Sequence, residues 1–297
     1  MSRIQDILKK AERDGSVHRT RGLTSPEPGE WAANGGASAQ AIAERPPASV
    51  EIAPPLLARE AELSASRHTG AAIGVDRRLV AAHAPQSLAA EQYRSLRTRV
   101  KAAENGRLLR TIIITSPNKG DGKSLTAANL ALTMAQEFQQ RVLLVDGDLR
   151  RPSIHRLFGI SDTPGLSDVL MGGASVEDAL VPVPDQRLTI LPSGVIPRHP
   201  AELLGSAAMR RVLDTLRTRF DRILIDMPPV APLADVAVAS SMADGILMIV
   251  RAGVTPKPAI ERALSGLDMS KVLGLVLNDA GDTGAAYGYG ADGYVAD

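Results

Sequence analysis

Thr111-Ile-Ile-Ile-Thr-Ser-Pro-Asn-Lys-Gly-Asp-Gly-Lys-Ser124 decides the reading of this chain. Five β-branched residues run into a glycine-containing turn, and from Ser124 an Ala- and Leu-rich stretch follows at helical spacing. A strand, a glycine-rich loop and a helix in that order is the context a phosphate-binding loop requires. Gly122-Lys123-Ser124 fits the end of the G-x-x-x-x-G-K-[ST] pattern, but Pro117 stands where its first glycine belongs and Gly120 lies nearer the lysine. Backbone N–H groups from Gly120 to Ser124 would cradle phosphates at a helix N-terminus, where unpaired donors and the dipole favour anions. Lys123 would neutralise the β- and γ-phosphates, and the Ser124 hydroxyl would ligate magnesium.

Two further strand ends point at the same rim. Val142-Leu-Leu-Val-Asp146-Gly-Asp148-Leu-Arg150 and Ile223-Leu-Ile-Asp226-Met-Pro-Pro229 each place a carboxylate just beyond an apolar run. Magnesium takes few carboxylates together with phosphate and water, so Asp146 and Asp226 can share one ion directly or through water.

Outward from these motifs, continuous apolar runs at 111–115, 142–145, 188–191, 223–225, 246–250 and 273–277 suit strands buried on both faces. Helical patterns fall between them at 124–139, 201–218, 233–242 and 256–267, and Ser87 caps a further helix reaching about residue 103. The alternation predicts an α/β fold, a three-layer sandwich in which a mostly parallel sheet is flanked by helices. Ligands in such sheets bind at the carboxyl ends of the strands, where the motifs sit.

Residues 1–85 read differently. Ile4, Ile7, Leu8 and Ala11 make a short amphipathic helix, and Pro26, Pro28, Pro46, Pro47, Pro54 and Pro55 then interrupt any period, so a flexible linker is expected before the sheet begins. The 297 residues carry 34 basic and 33 acidic side chains, which removes a whole-protein electrostatic case for nucleic acid. With no cysteine there is no disulfide, thiolate metal site or cysteine nucleophile. No run approaches the ~18 apolar residues of a membrane span, so a cytoplasmic protein is expected.

The loop at 116–124, the D-x-D-x-R of Asp146 to Arg150 and the D-x-P-P of Asp226 to Pro229 together resemble the bacterial tyrosine kinases of capsule and exopolysaccharide export, members of the deviant P-loop ATPases. The resemblance runs from about Leu88 to the end of the chain. It implies a P-loop tyrosine kinase domain over 86–280 and a substrate tail over 281–297. Three of the four tyrosines, Tyr287, Tyr289 and Tyr294, lie in that Gly-rich tail, and the resemblance makes them the sites of autophosphorylation in trans. Glu91, Arg94 and Arg97 match an E-x-x-R-x-x-R by which such kinases assemble into ring-like homo-oligomers; their spacing of three puts them on one helix face.

The nucleotide positions implied are Gly120, Asp121, Gly122, Lys123, Ser124 and Leu125, with Asn278 at the adenine and Arg150 at the γ-phosphate or the phosphorylated product. Lys123, Asp146, Asp148 and Asp226 form the catalytic set, with Asp146 or Asp148 accepting the phenol proton and Ser124, Asp146 and Asp226 holding Mg2+ beside ATP. A separate membrane protein, a polysaccharide co-polymerase, would activate the kinase and hold it at the inner face of the cell membrane, and a phosphotyrosine phosphatase would reverse it. The competing reading is an ATPase switch like the partitioning and septum-positioning proteins, without kinase activity. Those relatives carry an earlier lysine in the loop where this chain has Asn118, with Lys119 next to it.

Overall fold

The computed structural model describes residues 74–104, 106–137, 140–230 and 235–280. The amino-terminal helix, most of the expected linker and the tyrosine tail lie outside the described residues.

Two helices, α1 (Val80–His83) and α2 (Leu88–Ala102), precede β1 (Thr111–Thr115), which feeds α3 (Lys123–Ala135) and β2 (Val142–Asp146). Three short helices follow, α4 (Ile154–Phe158), α5 (Leu166–Leu170) and α6 (Val176–Ala179), then the hairpin strands β3 (Val181–Pro182) and β4 (Leu188–Leu191). The remainder is α7 (Pro200–Leu204), α8 (Ala207–Arg219), β5 (Arg222–Asp226), α9 (Asp235–Ser240), β6 (Gly245–Arg251), α10 (Lys257–Ser265) and β7 (Val272–Asn278). The strands form one sheet in the order β3-β4-β2-β5-β1-β6-β7. Its pairs are parallel except β3 against β4, where a two-residue strand carrying Pro182 blunts the sheet edge.

The expected strands are all present, extended by a residue or two at most. The helices needed more correction. The pattern at 201–218 is two helices, because Ser206 turns its side chain back to accept from Met209 N–H and starts α8 afresh. The helix expected to reach residue 139 stops at Ala135. The short elements α4, α5, α6 and β3 had no periodicity long enough to be read. Ser87 does cap α2, accepting from Ala90 N–H at 3.2 Å.

Strand alternation separates two cores. Ile113, Leu143, Val145, Ile223 and Ile225 face α5, α7, α8, α9 and α10 on one side. Ile112, Ile114, Val142, Leu144 and Leu224 face α3 and α4, with α1 and α2 packed outside α3, on the other. Ala127, Ala128, Ala131 and Ala135 let α3 lie close between sheet and outer helices, so this helix is buried nearly all round.

Among the described residues, part of the stretch expected as linker up to residue 85 packs on the domain. Leu79 is completely buried, and the stretch it belongs to is pinned across the back of α3 by one buried side chain. Asn129 accepts from Ala81 N–H at 3.1 Å and donates to the carbonyl of Arg78 at 3.2 Å, while Asp76 N–H donates to the carbonyl of Leu157 at 2.8 Å. A proline-poor decapeptide without a repeating pattern shows none of this in sequence. Leu79→Ala should therefore lower unfolding stability by about 2–5 kcal/mol, the usual cost of emptying a leucine site in a packed core. Urea denaturation would measure it, and a loss near zero would mean the stretch is not part of the domain.

Candidate active site

Gly120 and Gly122 adopt φ of 89° and 93°, the left-handed region in which a side chain is strained, and Gly122 caps the start of α3. The turn thus delivers Lys123 and Ser124 to the first positions of a helix whose N–H groups face the strand ends. Lys123 Nζ lies 2.9 Å from Asp148 Oδ2, 3.5 Å from Asp226 Oδ1 and 3.1 Å from the Ser124 hydroxyl. Asp146 and Asp226 are in register on the neighbouring strands β2 and β5. They share the parity of Leu144 and Leu224, and so emerge on the α3 side of the sheet. Between Asp146, the end of β2, and Asp148 there is little room for a side chain: a Cβ on Gly147 would meet the Met227 sulfur at 2.7 Å and the Asp226 carbonyl at 3.0 Å.

One ammonium therefore faces three carboxylates. Burial, and then the charge of Asp226, pushes the Asp146 carboxyl up to about 7. Burial raises Asp226 as well, against the lowering effect of Lys123. Burial alone would lower Lys123, but Asp226, Asp148 and Asp146 outweigh it and its pKa is raised. The two fully buried carboxylates are not equivalent. Asp146 Oδ2 accepts from the N–H groups of Ser153 and Ile154, both at 2.9 Å, and Oδ1 from Asp148 N–H at 3.3 Å. The Ser124 hydroxyl lies near enough to Asp226 to lower its pKa, yet Asp226 Oδ2 has no hydrogen-bond partner among the described residues. A buried, unpaired carboxylate oxygen beside a hydroxyl and an excess of negative charge suits a hard divalent cation. Asp226 and Ser124 fit Mg2+ directly; Asp146, with its oxygens taken by amides, fits an outer position.

Arg150 pairs with Asp235 at the start of α9, Nε at 2.8 Å and Nη2 at 3.3 Å. Asn278, at the end of β7, donates to the carbonyl of Asp121 at 3.0 Å, so its amide lies against the loop. Asp121 accepts from Asn118 N–H and from the Thr255 hydroxyl, both at 2.8 Å, which ties the loop to the turn after β6.

A family model described as ParA, NUBPL iron-transfer P-loop NTPase, matches residues 107–280. What this match carries is the P-loop NTPase fold. The chain is 38% identical over 206 residues to tyrosine-protein kinase YwqD of Bacillus subtilis, covering 69% of this chain and 86% of that one. It is 33% identical over 201 residues to tyrosine-protein kinase CpsD of Streptococcus agalactiae, covering 67% and 86%. The solved BceF tyrosine kinase domain superposes with a TM-score of 0.63 at 34% identity, covering 76% of this chain and 88% of that one. The chain belongs to the bacterial protein-tyrosine kinases.

In this kinase the loop at 116–124, Asp146, Asp148 and Asp226 converge as their spacing implied, while the other expected residues divide. Arg94 pairs with Glu91 and donates to the Pro85 carbonyl, both at 2.7 Å, on the exposed face of α2. Arg97 turns inward instead: it donates to the Thr133 carbonyl at 2.8 Å and faces Glu137 at the end of α3. Leu125 lies within the first turn of α3. Tyr93 is largely buried against Thr126 and Asn129, and burial raises its hydroxyl pKa. Tyr287, Tyr289 and Tyr294 lie outside the described residues. Asp235 and Thr255 were missed because each sits in a turn sequence with nothing around it to mark a partner more than 80 residues away.

Gly122→Ala tests the loop. The new Cβ would sit 2.0 Å from Asn278 Nδ2, in a φ that costs an alanine roughly 1–2 kcal/mol. ATP affinity, measured by fluorescent-nucleotide titration, should fall about tenfold or more. Unchanged affinity would place the phosphates elsewhere.

Proposed function

We propose that this chain is an ATP-dependent tyrosine autokinase that phosphorylates Tyr287, Tyr289 and Tyr294 of a neighbouring copy and so regulates capsule or exopolysaccharide assembly. The observation that carries the reading is the meeting of Lys123, Asp148 and Asp226 at the mouth of a phosphate loop, in a chain matched over most of the length of named tyrosine kinases. Phosphoryl transfer asks chiefly for positioning and charge stabilisation, and this site offers both. Amides of Gly120 to Ser124 and the Lys123 ammonium would hold the ATP phosphates. Mg2+, held by Ser124 and Asp226 with Asp146 behind them, would supply the charge that balances the phosphate oxygens.

A tyrosine of pKa about 10 needs a base to become a nucleophile at neutral pH. Asp148 is the better candidate of the two aspartates, because both oxygens of Asp146 are occupied by amides while Asp148 Oδ2 is held only by Lys123, a group that nucleotide would engage. Tyr93 is not a substrate in this scheme, since its ring is packed on α3. Assembly would use the exposed Glu91 and Arg94 face of α2. Arg97 would act indirectly by fixing α2 on α3. The membrane co-polymerase and the phosphatase are the partners this activity calls for, the first holding the kinase at the membrane; among the described residues no helix is long and apolar enough to cross one.

Removing the charge of Lys123 should slow phosphorylation roughly 10²-fold or more while leaving the fold intact. The decisive test mixes a Lys123→Met protein with an active protein in which Tyr287, Tyr289 and Tyr294 are all Phe. Label should appear on the tail of the inactive chain, assigned by peptide mass spectrometry. If co-assembly is confirmed by light scattering and the inactive chain stays unlabelled, transfer between copies is wrong. Full activity of the Lys123 variant alone would remove the loop from the reaction.

A further inference from the structure

Asp235 is a completely buried carboxylate to which the phosphoryl-transfer scheme assigns no task. Burying a charge is expensive unless it is paired and hydrogen-bonded, and its partner here is the half-exposed Arg150, gripped through Nε and Nη2. That two-point grip fixes the plane of the guanidinium as well as its place. It leaves Nη1 uncommitted among the described residues. Arg150 stands two residues beyond Asp148; its hydrogen bond to Asp235, and then the charges of Asp235 and Asp148, raise the arginine's pKa. Asp235 in turn follows a segment anchored under the phosphate loop. The Thr115 hydroxyl donates to the Pro228 carbonyl at 2.7 Å, and Val230 N–H donates to the Ser116 carbonyl at 2.9 Å. The arginine, for its part, follows the turn that leaves β2 after Asp146 and carries Asp148.

We propose that Asp235 is a positioning residue for phosphoryl transfer: it aims the Arg150 guanidinium at the rim of the nucleotide site and acts on the reaction only through that arginine. The inference rests on reading the loop as the nucleotide site. A fork held by two nitrogens presents its remaining N–H groups in one direction, as stabilising a transferring phosphoryl group requires. A pair that merely stapled α9 to the sheet would contribute to stability and leave turnover alone.

The test is a double-mutant cycle on the full chain, reading phosphotyrosine formation and ATP hydrolysis at saturating ATP, the KM for ATP and the urea midpoint. Arg150→Ala should lower turnover roughly 10²-fold. Asp235→Asn, which keeps the shape and removes the charge, should lower turnover about tenfold or more with little change in KM. Arg150→Lys, which keeps the charge and removes the fork, should show a similar loss. The Arg150→Ala, Asp235→Ala double variant should match Arg150→Ala within about twofold, because the second change has nothing left to act through. Multiplying losses in the double variant, or wild-type turnover in Asp235→Asn or Arg150→Lys, would overturn the proposal. If the unmutated chain hydrolyses ATP but makes no phosphotyrosine, the kinase reading fails while the hydrolysis cycle still judges Asp235.

Discussion

A single ammonium group, Lys123 Nζ, is surrounded by three carboxylates in a part of the molecule that water hardly reaches, and much of the architecture exists to make that arrangement tolerable. Burial first, and then the like charges beside them, push the Asp146 and Asp226 carboxyls both upward. Relief comes from different sources. Backbone amides answer Asp146, the lysine answers Asp148, and one oxygen of Asp226 has no partner among the described residues. A set left negative in this way is one that a phosphate-bound divalent cation completes.

Holding these groups together requires three strand ends at one level, and the sheet order provides them. β5, with Asp226, lies between β1, which leads into the phosphate loop, and β2, which ends in Asp146. Gly147 allows the β2 turn to lie against the Asp226 carbonyl, and Gly147 N–H donates to that carbonyl at 2.8 Å. The loop itself is fastened from the opposite side by Asp121, through Thr255 and Asn278. The loop is therefore clamped by both halves of the sheet, the usual consequence of its lying where strand order reverses.

The way the chain enters the domain gives the site a second neighbour. Residues 76–81 cross the back of α3, and Asn129 and Gln136 of that region hold them through the Arg78 and Ala81 backbone. Arg97 of α2 reaches the same helix end. The helix that opens with Lys123 is thus the element on which the entering segment and the exposed Glu91 and Arg94 face both bear.

Much of this was legible in the residues themselves. Runs such as Ile112 to Ile114 and Leu143 to Val145 are apolar on both faces, which only a covered parallel strand explains, and the Gly-Lys-Ser after the first run has a chemistry tied to its local geometry. Local interactions of this kind survive in a one-dimensional reading because the loop, the cap and the strand are each made by neighbours in sequence. The short helices, the break at Ser206 and the packing of 74–84 were not legible, since they are made by contacts rather than by a period. Arg150 shows the difference most plainly: its place two residues after Asp148 follows from sequence, but its partner, 85 positions away, does not. The sequence by itself determined which residues could bind phosphate and which strands would carry them. The tertiary structure alone decided which carboxylate oxygen is free, which arginine is held and which glycine is pressed against a neighbour, because burial and register are properties of strands brought side by side.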